Sequence, residues 1–300
     1  MPRFAANLSL MYNDLPFLER FEAARQDGFK HVECLFPYEH ESDLIVQQLR
    51  KNALGQVLIN TPPGGVEGSQ VGKMWDLGMR GVACMPGREQ EFEQGFMLAL
   101  RYAKALGCGQ IHVMAGCVPN EYRQHEDQTI KNSTSSDLAQ TPGPLLDTYL
   151  ANLYKAGTLA AGEGIRVLIE PINTRDIPHY FLNRQSQAHD IVQTVGLPNI
   201  QVQMDLYHCQ IVEGDLIEKI KHYLPTGRVG HLQVAGVPMR QELHMGELNY
   251  QEVFRVLDEV SASTQWPGFV GLEYRPREGS VLGGTSRGLT WLKSAVNWQA

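Results

Sequence analysis

The chain has 300 residues, 43% of them hydrophobic and 20% charged, which is enough apolar material for a large core and excludes a disordered chain or a disulfide-stapled miniature. Its 26 basic residues against 33 acidic ones give a net charge of −7, so there is no basic footprint for gripping a phosphate backbone and nucleic-acid binding is not expected. No apolar run approaches the roughly eighteen residues of a membrane helix, and the N-terminus carries no charged head followed by an apolar stretch, so a soluble, cytoplasmic protein is expected.

Short apolar runs alternate with helix-period segments along the whole chain. Phe4 to Ser9 reads as a first strand, followed by a helix over Leu15 to Asp27 capped by Asp14 and ended by Gly28. His31 to Leu35 is a second strand with a helix from about Ser42 to Asn52, and Gly55 to Asn60 is a third with a long amphipathic helix over Glu91 to Leu106. Gln110 to Met114 is the fourth strand, paired with a helix over Leu145 to Gly162. Arg166 to Glu170 and Ile200 to Asp205 are the fifth and sixth, with helices over Ser186 to Val195 and Leu216 to Tyr223. Val229 to Val234 and Phe269 to Tyr274 complete the set, with helices over Tyr250 to Val260 and Gly283 to Asn297.

Eight strand-helix units with connections long enough for right-handed parallel crossovers imply an α/β protein, a single (β/α)8 TIM barrel spanning residues 1–300. A doubly wound open sheet is the rival. The absence of G-x-G-x-x-G after the first strand and of G-x-x-x-x-G-K-[ST] anywhere removes its nucleotide-binding versions, and no nucleotide cofactor is expected. Two stretches exceed a normal loop. Residues 61–90 hold Pro62, Pro63, Gly64 and Gly65, and residues 117–144 hold the polar run Asn132 to Ser136. Both leave the carboxyl end of a strand, the face that carries active sites in such barrels, and read as insertions forming lids or walls rather than passive decoration. The five cysteines, Cys34, Cys84, Cys108, Cys117 and Cys209, are odd in number and without C-x-x-C spacing, as expected of reduced, mostly buried thiols.

Four consecutive strands end in an oxygen-bearing side chain: Glu170, Asp205, Gln233 and Glu273. Spaced by successive strand-helix units, they fall on one face of the barrel, on strands about 4.8 Å apart. Three carboxylates converging there would raise one another's pKa unless a cation neutralised them. One such residue alone is as often a helix cap or salt-bridge partner, but four in a row point to a divalent metal. Oxygen donors without a thiolate suit Mg²⁺ or Mn²⁺ better than Zn²⁺. His231 points the same way as Gln233, one layer deeper, and reads as a hydrogen-bonded core histidine more than as a ligand. His208, in the loop above the sixth strand, is placed to meet a substrate hydroxyl or carboxylate. Arg240, after the seventh, offers a guanidinium fork for an anionic substrate, with a solvated surface arginine as the bland alternative. Glu33 lies near the end of the second strand, where structural pairing outweighs pocket lining.

The opening Arg3 to Ser9, Pro86-Gly87-Arg88-Glu89, Glu170-Pro171-Ile172-Asn173, Gly246 to Tyr250 and Gly271 to Pro276 together resemble the hydroxypyruvate isomerase family, with its closely related 2-oxo-tetronate isomerases, among the xylose-isomerase-like barrels. The resemblance runs in order over nearly the whole chain. It implies that Glu170, Asp205, Gln233 and Glu273 match the family's metal ligands and that Glu170 and Glu273 resemble its acid/base pair. It also implies a metal-assisted proton transfer through an enediolate, without any redox cofactor, interconverting hydroxypyruvate and 2-hydroxy-3-oxopropanoate. The opening, His112 to Gly116 and Ala235 to Pro238 lean toward the oxo-tetronate branch, Glu170 to Asn173 toward the hydroxypyruvate branch. The stretches around Ser69 to Arg80 and Ile130 to Pro144 look longer than in the family. A ketose 3-epimerase, a DNA-repair endonuclease of similar fold and a non-catalytic sugar-acid binder are the alternatives. Gln233 in place of a usual histidine disfavours the first, and the charge balance and few histidines disfavour the second. The opposed pair Glu170 and Glu273 disfavours the third. The partner expected is a small hydroxy-oxo acid. Outer helices allow a homo-oligomer, though no seam is marked.

Overall fold

The structure is a computed structural model that describes residues 2–123, 143–279 and 281–296. Eight parallel strands close on themselves in chain order, β1 (Phe4–Asn7), β2 (His31–Glu33), β3 (Gly55–Asn60), β4 (Gln110–His112), β5 (Arg166–Ile169), β6 (Ile200–Asp205), β7 (Val229–Val234) and β8 (Val270–Leu272). Phe4 pairs with Val270 to seal the ring. Because each strand is covered by helices outside and by side chains inside, its residues are buried on both faces, which is why the sequence showed near-continuous apolar runs there.

The surrounding helices are α1 (Arg20–Gln26), α2 (Ser42–Lys51), α3 (Gly68–Asp76), α4 (Glu89–Leu106), α5 (Asn120–Arg123), α6 (Gly143–Ala161), α7 (Gln185–Val195), α8 (Leu206–Val212), α9 (Leu216–Tyr223), α10 (Tyr250–Thr264), α11 (Gly284–Gly288) and α12 (Thr290–Ala295). Glycines in the left-handed region, Gly107 at φ 63° and Gly196 at φ 70°, end α4 and α7. None of the described helices is long and apolar enough to cross a membrane.

Three local expectations are corrected. Asp14 does not cap the first helix: a 3-10 turn over Phe17–Glu19 follows Pro16, α1 starts only at Arg20, and Asp14 instead accepts the Gly283 N–H at 3.1 Å. Proline fixes the backbone at residue 16 and disfavours helix just before it, so the helix starts late. The last helix is split at Leu289, with glycines at 283, 284 and 288 weakening its first half, and Asn297 lies outside the described residues. Strands five and eight stop at Ile169 and Leu272, leaving Glu170 and Glu273 one residue past the ladder.

Of the two long stretches, residues 61–90 contain α3 and are tied back onto α4. Glu91 forms a two-pronged pair with Arg88 (2.7 and 2.8 Å) and accepts the Gly65 N–H at 2.9 Å. The run Asn132 to Ser136 lies outside the described residues. The main hydrophobic core fills the space between barrel and helices, and a small separate cluster of Ala5, Val57, Leu58 and Leu168 packs with Phe269. Cys34, Cys84, Cys108 and Cys209 are buried free thiols, and Cys117 is half-buried. Burial pushes Cys84 and Cys108 up to about 12, so neither is a thiolate nucleophile at neutral pH.

Candidate active site

Parallel strands in one barrel deliver their C-terminal residues to one rim, and here that rim is acidic. Asp205, last in β6, is in register with Gln233 on β7, which is in register with Gly271 on β8; Glu273 follows two residues on, its N–H donating to Val234 O at 3.1 Å. Glu170 arrives from β5. Glu170, Asp205, Glu273 and His208 each present one ligand-capable atom, and these four atoms lie within 4.8 Å of one another, all on buried residues.

Asp205 divides its carboxylate between two jobs. Oδ1 accepts the Tyr207 N–H at 2.7 Å and so caps α8, while Oδ2, fully buried, has no hydrogen-bond partner among the described residues. Glu170 Oε1 is likewise buried and without a hydrogen-bond partner among the described residues. Buried oxygens left without donors are costly, and two of them facing one centre, with a third carboxylate and an imidazole beside them, form a hard, anionic donor set compatible with a divalent cation.

Burial first, then the charges of Glu273 and Asp205, push Glu170 well above the usual carboxylate range. Asp205 is raised by burial against the pull of Arg240 and of backbone N–H groups. Glu273 is raised by burial to about 8, opposed by Arg240 and reinforced by Asp205 and Glu33. His208 is lowered well below its usual value by burial, then by Arg240 and His112, which leaves a neutral imidazole at neutral pH.

The structure assembles most of the residues singled out in the sequence. His208 Nε2 lies 3.6 Å from Asp205 Oδ2 and 3.8 Å from Glu170 Oε1, inside the acidic cluster rather than out in the loop, and its Nδ1 meets the Asn173 amide at 2.6 Å. Arg240 is no solvated surface arginine. Its Nη2 donates to Glu273 Oε2 at 2.6 Å and sits 3.7 Å from Asp205 Oδ2, over the ring of Tyr207. Gln233 is held at both ends, its Nε2 donating to Glu33 Oε1 at 2.7 Å and its Oε1 accepting from Gln203 at 2.6 Å. His231 meets Glu33 Oε2 at 2.8 Å and is a paired core histidine, as its position one layer down implied.

Two contributors escaped the sequence reading. His112 ends β4 with Nδ1 3.5 Å from Glu170 Oε2, and burial holds it down at about 3, hence neutral. The apolar run continues through Val113 to Met114, two residues past the end of β4, so the strand-end pattern does not mark His112. Asn173 also contributes, its side chain tethering His208 and accepting the Asp176 N–H at 2.8 Å, and Asp176 in turn accepts from the Tyr207 hydroxyl at 2.8 Å. Asn173 stood in one of the family-like strings, but nothing in that string marked its partner.

A closed eight-stranded barrel with an acidic rim of this kind is the architecture of metal-compatible (β/α)8 enzymes. The family model for the xylose isomerase-like TIM barrel matches residues 21–295. A 2-oxo-tetronate isomerase of Cupriavidus necator is 47% identical over 293 residues, covering 98% of each chain. A putative hydroxypyruvate isomerase of Homo sapiens is 41% identical over 295 residues, 97% of this chain and 94% of its own. A crystal structure described as an AP endonuclease, family 2, from Brucella melitensis superposes with a TM-score of 0.82 at 41% identity, covering 98% and 99% of the two chains. The chain belongs to the xylose isomerase-like TIM barrel family and is hydroxypyruvate isomerase-like in sequence.

Proposed function

We propose that this protein is a divalent-metal-dependent isomerase that moves a proton between C3 and C2 of a small 2-oxo-3-hydroxy acid. The observation that carries the reading is the buried convergence of Glu170, Asp205 and Glu273 beside His208, in a chain whose near-full-length relatives are named as isomerases of such acids. A 2-oxo-tetronate takes first place as substrate because the 47% identical relative bears that name. Hydroxypyruvate is the second reading, on the 41% identical relative. The two substrates share the carboxylate, the 2-oxo group and the 3-hydroxyl, and differ only in what C3 carries.

Glu170, Asp205 and Glu273 are the carboxylates that would hold Mg²⁺ or Mn²⁺, with the Gln233 amide oxygen as the neutral fourth donor and His208 facing the same centre. A bound ion would supply Lewis-acid stabilisation of the negative charge that develops on the substrate oxygens. Glu170 and Glu273 come from walls separated by β6 and β7, so a substrate lying between them meets one carboxylate on each side. One removes the C3 proton, giving an enediolate. The other delivers a proton to C2, and the hydroxyl proton passes from O3 to O2, so the reaction is neutral in atoms and electrons. In the metal-free site burial raises the Glu273 carboxyl, so its proton is held by its surroundings rather than by solvent. Arg240 and the neutral His208 hold the substrate carboxylate and hydroxyl. An endonuclease role is disfavoured by the net charge of −7.

The test is proton exchange followed by NMR in D₂O, with metal-stripped protein and then with added Mg²⁺ or Mn²⁺, on hydroxypyruvate and separately on a 2-oxo-tetronate. Metal-dependent deuterium incorporation with product formation is the expected result, and the faster substrate selects between the two readings. Exchange no faster than the uncatalysed rate on both would overturn the proposal.

A further inference from the structure

Beneath the acidic rim lies a carboxylate closed off from solvent. Glu33, on β2, is fully buried, yet it is flanked by side chains from both sides of the barrel. Its Oε1 accepts from Gln233 at 2.7 Å and from Asn7 at 3.0 Å, and its Oε2 meets His231 at 2.8 Å. β2 and β7 are not neighbours in the ring, so the contacts to Gln233 and His231 run through the barrel interior. Burying an ion there costs several kcal/mol before its partners offset it, and an apolar side chain of similar volume would serve a core at least as well.

The chain also makes room for it. A Cβ at Gly271 would lie 2.4 Å from both Glu33 oxygens, so β8 carries a glycine where strands favour branched residues. Gly271 is two residues before Glu273 and shares its face of the strand, which puts the Glu33 carboxylate directly under the Glu273 position. Asn7 links the two: its Oδ1 accepts the Ser9 N–H at 3.0 Å, which fixes the amide, and its Nδ2 then reaches both Glu33 Oε1 and, at 3.4 Å, Glu273 Oε1.

We propose that Glu33 is a positioning residue, which through Asn7 and Gln233 sets the orientation of Glu273 and of the Gln233 amide for the isomerisation. Glu33 Oε1 accepts from Gln233 Nε2, which fixes that end of the amide as nitrogen and leaves the amide oxygen on the other side, where Gln203 Nε2 donates to it. Without Glu33, only the Gln203 bond at 2.6 Å holds the amide, and the end that carries nitrogen loses its fixed acceptor. The role rests on the isomerase reading above, with Gln233 and Glu273 as ligands.

Two variants test it. Glu33→Gln keeps the shape but introduces an amide that competes with its own donors, and Gly271→Ala keeps Glu33 but forces its flexible end aside. Mn²⁺ affinity is measured by EPR of the free ion, kcat and KM on the Mn²⁺-loaded enzyme, and folded fraction by urea denaturation. Per folded molecule, each variant is expected to weaken Mn²⁺ binding about 10- to 100-fold and to lower kcat at saturating Mn²⁺ at least about 10-fold, with KM changed by less than about 3-fold. A purely structural role would reduce the folded fraction and leave these quantities alone. Should Glu33→Gln fail to fold, Gly271→Ala, with every donor retained, decides alone. Mn²⁺ affinity and kcat within about twofold of wild type in the folded variants would overturn the role of Glu33. A wild-type protein that neither binds Mn²⁺ nor isomerises would overturn the isomerase reading instead.

Discussion

Replacing Glu273 with glutamine separates a site built for charge from a merely acidic patch. In the folded protein the Glu273 carboxyl is raised from its ordinary 4.5 to about 8, by burial against Arg240 and with Asp205 and Glu33 adding to it. Its side chain is only 9% exposed, so solvent screening is slight. At pH 7 the unfolded chain has released the proton that the folded chain still binds. At about 1.4 kcal/mol per pH unit between 4.5 and 7, holding that proton costs the metal-free protein about 3 kcal/mol. Glutamine is neutral in both states and bears no such cost, while its carbonyl still accepts from Arg240 Nη2. Metal-free Glu273→Gln is therefore expected to be more stable than wild type by about 3 kcal/mol at pH 7, about 5 °C in Tm for a chain of this length, while kcat falls about 10²-fold or more.

The pH profile carries the sign. A carboxyl with a raised folded-state pKa contributes stability that is complete below about pH 4.5 and is lost as pH rises through about 8. His112, held at about 3, and His208, also lowered, act oppositely: their contribution is present above about pH 6.5 and is lost as pH falls. Between pH 6.5 and 8 the histidines are silent. Urea denaturation in EDTA across that interval should then show wild type losing up to about 1.4 kcal/mol per pH unit more than Glu273→Gln. Parallel profiles, or a variant less stable than wild type at pH 8, would refute the reasoning, and wild-type turnover in the variant would refute the role in proton transfer.

Other perturbations address the neighbours. Arg240→Met removes the guanidinium that bonds Glu273 at 2.6 Å; steady-state kinetics should show KM for the anionic substrate raised about 10-fold or more, with a smaller change in kcat. Asn173→Ala frees the His208 ring and is expected to weaken Mn²⁺ binding about 10-fold by calorimetry, with the fold intact by circular dichroism. Stripping the metal with EDTA should abolish isomerisation, and Mn²⁺ should restore it with release of protons detectable in weakly buffered solution, because the raised carboxyls must ionise to ligate. Glu91→Gln removes the charge that ties the Gly65 N–H to Arg88; a loss of about 1–3 kcal/mol in urea denaturation at pH 7 is expected, with kcat changed only if this tether shapes the substrate pocket.

What the sequence disclosed and what it withheld divide along a physical line. Strand positions were legible because a parallel strand buried on both faces leaves an apolar run. Once eight such runs were in order, Asp205 and Gln233 fell inside their strands and Glu170 and Glu273 one residue beyond theirs. Their convergence follows from local order and barrel symmetry alone. His112 was missed because apolar burial outlasts the hydrogen-bonded ladder: Val113 and Met114 are as buried as the strand, so pattern could not mark where β4 ends. Glu33 and Arg240 were named but not given their partners, since those partners sit on strands or loops remote in sequence. Glu33 reaches across the lumen to His231 and Gln233, and Arg240 bends back onto Glu273 from a residue at φ 54°. Contacts of that kind are set by closure of the ring, and a linear pattern carries no term for them. Gly271 is where the two levels meet: an unremarkable glycine in the sequence, and in the barrel the gap that admits the Glu33 carboxylate beneath the acidic rim.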